Sequence, residues 1–196
     1  LLLQGLDRAS AVLVGPGLGD HLCTRMFIEE ILPAIKLPLV LDADGLRHAL
    51  HIKNWHEKIS TLAVLTPHPG EMSALTGLSK EEIQSNREEI AVKYAKEWGH
   101  VVVLKGAFTV VASPDGYCTI IPVATPALAR AGTGDVLAGL IIGLRAQGLD
   151  AYDAAVAGAF IHAQAGLLAA ETLGTTVSVL ASDILDSIPD VLADLE

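Results

Sequence analysis

Four short runs of aliphatic residues, at 11–14, 39–41, 63–65 and 101–104, are apolar at every position, and each stops at a loop rich in Gly, Pro or Asp. A strand without polar alternation must be covered on both faces, as parallel strands are when helices pack above and below them. Helical patterns fill the intervals at 24–35, 45–52 and 86–98, the last with Ser85 and Glu88 at capping-box spacing. Two more runs, 108–112 and 118–121, flank Ser113-Pro114-Asp115-Gly116 and predict a hairpin at the sheet edge. Beyond Pro126 the pattern is helical, at 133–147, at 152–173, and in a short helix from Ser182 with Asp183 near its start. In the first of these, Val136, Leu137, Leu140, Ile141 and Leu144 form an apolar stripe. Gly139 and Gly143 are expected to admit a close backbone neighbour. With no repeat and no polar linker, the chain reads as one α/β domain built on a mostly parallel sheet flanked by helices.

Composition excludes several functions. Half of the chain is hydrophobic (51%), so a disordered protein is ruled out. Thirteen Lys+Arg against 23 Asp+Glu leave a net charge of -10, which offers no cationic surface to a nucleic-acid backbone. Cys23 and Cys118 stand apart with no Cys-x-x-Cys pair, so neither a structural zinc site nor a disulfide framework is encoded, and a cytoplasmic setting is expected. The mean hydropathy of +0.47 centres on 154–170, where Ala and Gly dominate and His162 and Gln164 interrupt. That stretch reads as a close-packed buried helix, not a membrane span, and His162 is assigned to its core. Leu1-Leu2-Leu3 is too short for a signal peptide, since Asp7 and Arg8 follow, and the absence of an initial Met predicts a larger parent chain.

Ligands of open parallel sheets collect at the carboxyl ends of the strands, and five loops there carry unusual residues. Ala131-Gly132-Thr133-Gly134-Asp135 opens a long helix; two glycines and the helix dipole suit an anion, and Asp135 suits a base that takes a hydroxyl proton. Gly15-Pro16-Gly17-Leu18-Gly19 lets a ligand approach the backbone but lacks the spacing of a dinucleotide fingerprint. In Asp42-Ala43-Asp44-Gly45, Asp44 is placed to cap the following helix, leaving Asp42 to touch ligand or metal. Thr66-Pro67-His68-Pro69-Gly70-Glu71 presents His68 rigidly between two prolines. Lys105-Gly106-Ala107-Phe108-Thr109 puts a cation beside bare backbone. His21, His48, His51, His56 and His100 are read as lying on polar helix faces or turns and receive no role.

In chain order these segments read G-P-G-L-G, D-A-D-G-L, T-P-H-P-G-E, K-G-A-x-T and P-A-L-A-x-x-G-T-G-D-V-L-A-G. The series closely resembles the ADP- or ATP-dependent NAD(P)H-hydrate dehydratases of the ribokinase-like superfamily, from about Val12 to Leu185. The resemblance implies that Lys105, Gly106, Ala107, Phe108, Thr109 and Gly134 contact the adenine nucleotide, with Gly132 and Thr133 completing the phosphoryl-binding turn. It implies that His68, Asp135 and the Gly15–Gly19 loop, through Gly17 and Gly19, face the hydrated nicotinamide, NADHX or NADPHX; Asp42, at its strand tip, is expected to bind substrate too, and Asp135 to be the catalytic base. Mg2+ would bridge nucleotide oxygens without dedicated side-chain ligands. His68 is similar to the bacterial and archaeal branch, for which ADP is the usual donor. The family further implies a homo-oligomer, a tetramer, and a domain that starts several strands earlier, in many bacteria behind a fused epimerase. The chain departs from the pattern at Thr125 and at Ala131, where bacterial members carry Asn and Gly; Ala131 predicts a looser anion loop.

Two other functions share some of these features. A thiazole-alcohol or hydroxymethylpyrimidine kinase would use the same G-T-G-D helix but would leave a stable phosphorylated product. A nonenzymatic nucleotide-binding module would keep the loops without the chemistry.

Overall fold

Valine, leucine and alanine at every position make strands that tolerate no water on either face. In the computed structural model, which describes residues 6–195, β1 (Val12–Val14), β2 (Leu39–Leu41), β3 (Val64–Leu65) and β4 (Val101–Leu104) are parallel neighbours. The antiparallel β5 (Val110–Ala112) and β6 (Cys118–Ile120) extend the sheet past β4, and the strands follow one another in chain order. The hairpin expected at the edge is there. Its first strand starts at Val110, because Phe108 has a left-handed φ of 54° and cannot continue a ladder. The leucines at 1–3 lie outside the described residues.

The pleat divides the strand residues between two layers of helix. Leu39, Leu41, Leu65, Val102 and Leu104 pack toward α1 (Leu22–Ile31), α2 (Ala43–Ala49), α3 (Trp55–Lys58), α4 (Pro69–Thr76), α5 (Lys80–Ser85) and α6 (Arg87–Trp98). Trp55, Tyr94 and Trp98 close that side, with ring centroids 5.4 and 4.9 Å apart. Val40, Val64, Val101, Val103 and Val111 face the other way, against α7 (Thr133–Ala146) and α8 (Ala151–Leu173). A third cluster joins α8 to α9 (Ala181–Ala193). Each fully buried Leu or Val contributes roughly 1.5–3 kcal/mol by leaving water, so these clusters outweigh any single polar contact.

Several local expectations need correction. Ser85 does not cap α6: it ends α5, whose own cap is Ser79, accepting the Glu82 N–H at 3.1 Å. The chain turns between the two helices at Asn86, whose side-chain amide donates to the Glu82 carbonyl at 3.2 Å. The helix expected from Gly45 begins two residues earlier at Ala43, so Asp44 lies in its first turn and Asp42 precedes it. The helix expected to reach residue 35 tightens into a 3-10 turn at Leu32–Ala34, where Pro33 has no N–H to give. The final helix is not short; it runs for 13 residues.

Gly139 and Gly143 do not mark a close approach either: a Cβ at either position would meet nothing within 4 Å. The tight contact is made from α8, where a Cβ at Gly158 would come within 2.7 Å of Ile141 Cγ1. By length and composition α8 could cross a membrane, yet 56% of its apolar window is buried inside the fold.

Candidate active site

The carboxyl ends of the four parallel strands and the N-terminus of α7 converge. Gly15 makes this possible at the first strand end: its φ is 138°, and a Cβ there would overlap the Asp42 carbonyl oxygen. The loop that follows is pinned from α2, since the Gly19 N–H donates to Asp44 Oδ2 at 2.8 Å and the His48 Nε2 lies 2.9 Å from the Gly19 carbonyl. Asp44 is thus a loop anchor rather than a helix cap. His48 is 3% exposed and holds Gly19, not a residue of a polar face.

Asp42 stands at the centre, 1% exposed. Its Oδ1 accepts from Thr66 Oγ1 at 2.7 Å and from Lys105 Nζ at 2.6 Å, while its Oδ2 is buried with no partner. Removing one member of such a pair leaves an uncompensated buried charge, so the ion pair fixes both side chains. Lys105 Nζ also lies 3.8 Å from Glu71 Oε2. That ammonium, the buried Glu71 and the orphan Asp42 oxygen form one mixed-charge cluster.

His68 is held by the start of α4. Its Nδ1 accepts from the Gly70 and Glu71 N–H groups at 2.9 and 3.3 Å, and Glu71 Oε2 accepts the His68 N–H at 2.8 Å, a reciprocal capping box. With Nδ1 occupied as an acceptor, the neutral ring carries its proton on Nε2, which lies 3.4 Å from Glu71 Oε1. The two prolines therefore present a histidine that is both helix cap and donor at the cluster rim.

On the other side of Lys105 a cavity of about 420 Å³ opens, within the range of small-molecule sites. Lys105, Gly106, Ala107 and Thr109 form one wall, and Thr133 and Gly134 at the start of α7 form another. A Cβ at Gly134 would lie 3.4 Å from Lys105 Nζ, which places the ammonium directly against the helix terminus. The left-handed turn belongs to Gly132, φ 86°, and Ala131 needs no positive φ. The backbone reason for expecting a looser loop at Ala131 does not arise here, because glycine sits where the positive φ is needed.

Not every expected residue joins the cavity. Phe108 is 53% exposed and does not line it. The Thr133 hydroxyl is spent on the Leu128 and Arg130 carbonyls at 2.7 and 2.9 Å, so Thr133 contributes wall and backbone only. Asp135 is exposed in the first turn of α7 and opens instead onto an apolar groove beside Val136, Gly139 and Leu140. Gly17 and Gly19 line neither opening; their loop meets the cluster at Gly15, against the Asp42 carbonyl.

The lining also draws on the segment after β6, of which the sequence marked Thr125 and the P-A-L-A start of the last motif but gave them no place in a site. Val123, Ala124, Thr125, Pro126 and Leu128 supply the apolar wall, and His162 of α8 completes the lining. Burial pushes the His162 imidazole down to about 4, with the Lys105 charge adding and the Thr133 backbone carbonyl opposing. Arg87 supports the Lys105 turn from outside, donating from Nη2 to the Leu104 carbonyl at 2.7 Å. His100 is also buried, bridging the His56 carbonyl (3.0 Å) and the Ala63 N–H (3.4 Å).

A family model described as NAD(P)H-hydrate dehydratase matches residues 1–190. The bifunctional NAD(P)H-hydrate repair enzyme Nnr of Moorella thermoacetica is 44% identical over 195 residues, covering 100% of this chain and 37% of that protein. The chain thus spans little more than a third of that relative. The ADP/ATP-dependent NAD(P)H-hydrate dehydratase from Bacillus subtilis, co-crystallized with ATP/Mg2+, superposes with a TM-score of 0.85 at 32% identity, covering 99% of this chain and 70% of that one. A ribokinase-like superfamily protein of Enterococcus faecalis, 24% identical with a TM-score of 0.80, shares the fold.

Proposed function

The chain belongs to the NAD(P)H-hydrate dehydratase family, and from that premise we propose that it dehydrates NADHX and NADPHX at the expense of an adenine nucleotide, ADP in preference to ATP. The observation that carries the reading is Lys105: one ammonium touches the buried Asp42 on one side and the glycine turn of α7 on the other. It joins a substrate pocket to a phosphate-binding helix terminus.

In this scheme Asp135 takes the proton of the ring hydroxyl as its oxygen attacks the terminal phosphorus, and the P–O bond to the departing nucleotide breaks. Lys105 and the backbone of Gly132 and Gly134 hold the negative charge that moves through the transferring phosphoryl group. The ring nitrogen then expels phosphate, a proton leaves the adjacent ring carbon, and NADH or NADPH is restored. His68 and the loop carrying Gly17 and Gly19 border the hydrated nicotinamide. Lys105, Gly106, Ala107 and Thr109 border the nucleotide, and Phe108 acts through its backbone.

Mg2+ fits the donor chemistry, since Asp42 keeps an orphan buried oxygen and Glu71 lies in the same cluster. Among the described residues no three His, Cys, Asp or Glu side chains group as a metal site, so phosphate oxygens would supply the remaining ligands. Bound there, the ion would neutralise phosphate charge. We place the protein in the cytoplasm as a homotetramer, a state that solution scattering tests directly.

The assay follows the reduced-nicotinamide absorbance of hydrated NADH with ADP and Mg2+ in the full-length protein. Nucleotide-dependent recovery is expected, with free phosphate released in equal amount. Asp135→Asn should slow it by about a hundredfold or more while leaving the fold intact. No recovery with either nucleotide defeats the dehydratase reading, and an unaffected Asp135→Asn enzyme removes Asp135 as the base.

A further inference from the structure

α8 is built almost wholly from alanine, glycine and aliphatic residues where it meets the sheet, and one position on its buried side breaks that rule. His162 is 7% exposed, lines the cavity between the Lys105 turn and the start of α7, and has a buried Nε2 with no hydrogen-bond partner. A buried polar atom without a partner costs about 1–3 kcal/mol, and alanine or leucine would fill the same space in such a helix without that penalty. The Thr133 carbonyl lies near enough to favour the protonated ring, yet it makes no hydrogen bond that satisfies Nε2, so the fold leaves that atom open to a ligand in the cavity.

The ligand group is further constrained. The ring is neutral at physiological pH, because burial and the nearby Lys105 ammonium both oppose its protonation. An uncharged imidazole is a poor phosphate ligand, and the phosphate-binding features of the site, Lys105 and the Gly132–Gly134 turn, are already in place. A neutral ring offers one donor and one acceptor, which matches the uncharged hydroxyls and nitrogens of a nucleoside. The remaining walls, Val123, Pro126 and Leu128 among them, are apolar and suit the face of a base.

We propose that His162 is the nucleoside-recognition residue of the cavity, hydrogen-bonded to the base or ribose of the adenine nucleotide and not to its phosphates. This rests on the reading of the cavity as the nucleotide site.

The test compares ADP with inorganic pyrophosphate, each titrated calorimetrically with Mg2+ into full-length wild type and into His162→Ala and His162→Asn. His162→Ala should weaken ADP about tenfold and leave pyrophosphate within about twofold, with His162→Asn recovering part of the loss. Equal affinity of wild type and His162→Ala for ADP, or equal loss of ADP and pyrophosphate, overturns the assignment. If the variants fold poorly, nitrogen-15 histidine spectra of the wild type decide: ADP should move the His162 ring resonances and pyrophosphate should not. ADP binding that leaves those resonances unmoved overturns it as well. Wild type that binds no adenine nucleotide overturns the nucleotide reading and this assignment together. Absence of dehydration with ADP bound and His162 perturbed counts against the dehydratase reading alone.

Discussion

At the scale of single residues, the buried Asp42–Lys105 pair governs both stability and site geometry. Lys105→Met should destabilise the fold by about 3 kcal/mol, because it strands a carboxylate that is 1% exposed. Adding Asp42→Asn should recover much of that loss, which a denaturant double-mutant cycle measures. Histidine sets the pH response. Burial pushes His162 from its ordinary value of 6.5 down to about 4 on folding, and His100 falls as well through burial. A depressed histidine binds fewer protons folded than unfolded, so its contribution is complete above about pH 6.5 and is lost as pH falls toward 4. For His162 that amounts to on the order of 3 kcal/mol. Unfolding curves of wild type should therefore steepen in their loss of stability below about pH 6.5, and His162→Asn should flatten that loss. Asp42, His68 and Lys105 were legible as candidates because each is a chemically odd residue just past a strand end, and the G-T-G-D turn because it pairs glycines with a helix start; the structure brings Asp42, Lys105 and the Gly134 terminus together. His48 and His100 were not: their partners are the Gly19 and His56 carbonyls, 29 and 44 residues away, and nothing in the local pattern encodes such distances.

Among the elements, the parallel strands were the most legible, since uninterrupted Val and Leu leave no alternative to two covered faces. α4 and α5 were missed because the His68 and Ser79 caps start them, and α3 because it is one turn held by the buried Trp55, none of them marked by a hydrophobic period. α4 is the instructive case: Pro69 and the His68 cap start it within a segment that reads as a rigid loop. Glycine in the long helices misled in the opposite direction. Spacing cannot separate Gly158, which accommodates Ile141, from Gly139, which faces open space. The two should respond oppositely to alanine. Gly158→Ala would push α7 and α8 apart at a cost of about 1–3 kcal/mol. Gly139→Ala gains helix propensity and should stabilise by up to about 1 kcal/mol. Thermal unfolding of both variants checks the sign.

Over the whole molecule, the net charge of -10 excludes a polyanionic polymer without excluding one nucleotide, because the positive end of α7 and Lys105 act over a few ångströms inside a shielded cavity. The sheet order has a further consequence. Because the strands are laid down in chain order, each can dock on its predecessor as the chain collapses, and no strand has to be threaded between two others. The cavity is different: its walls come from the Lys105 turn, the segment after β6 and two late helices, so it exists only when the last third of the chain has docked. A ligand that needs all of those walls has no purchase on the folding transition state if α7 and α8 settle after it. Its binding free energy then falls entirely on the finished fold. ADP should accordingly slow the unfolding limb of the kinetic chevron and leave the refolding limb where it was, so that occupancy protects the finished fold without hurrying its birth.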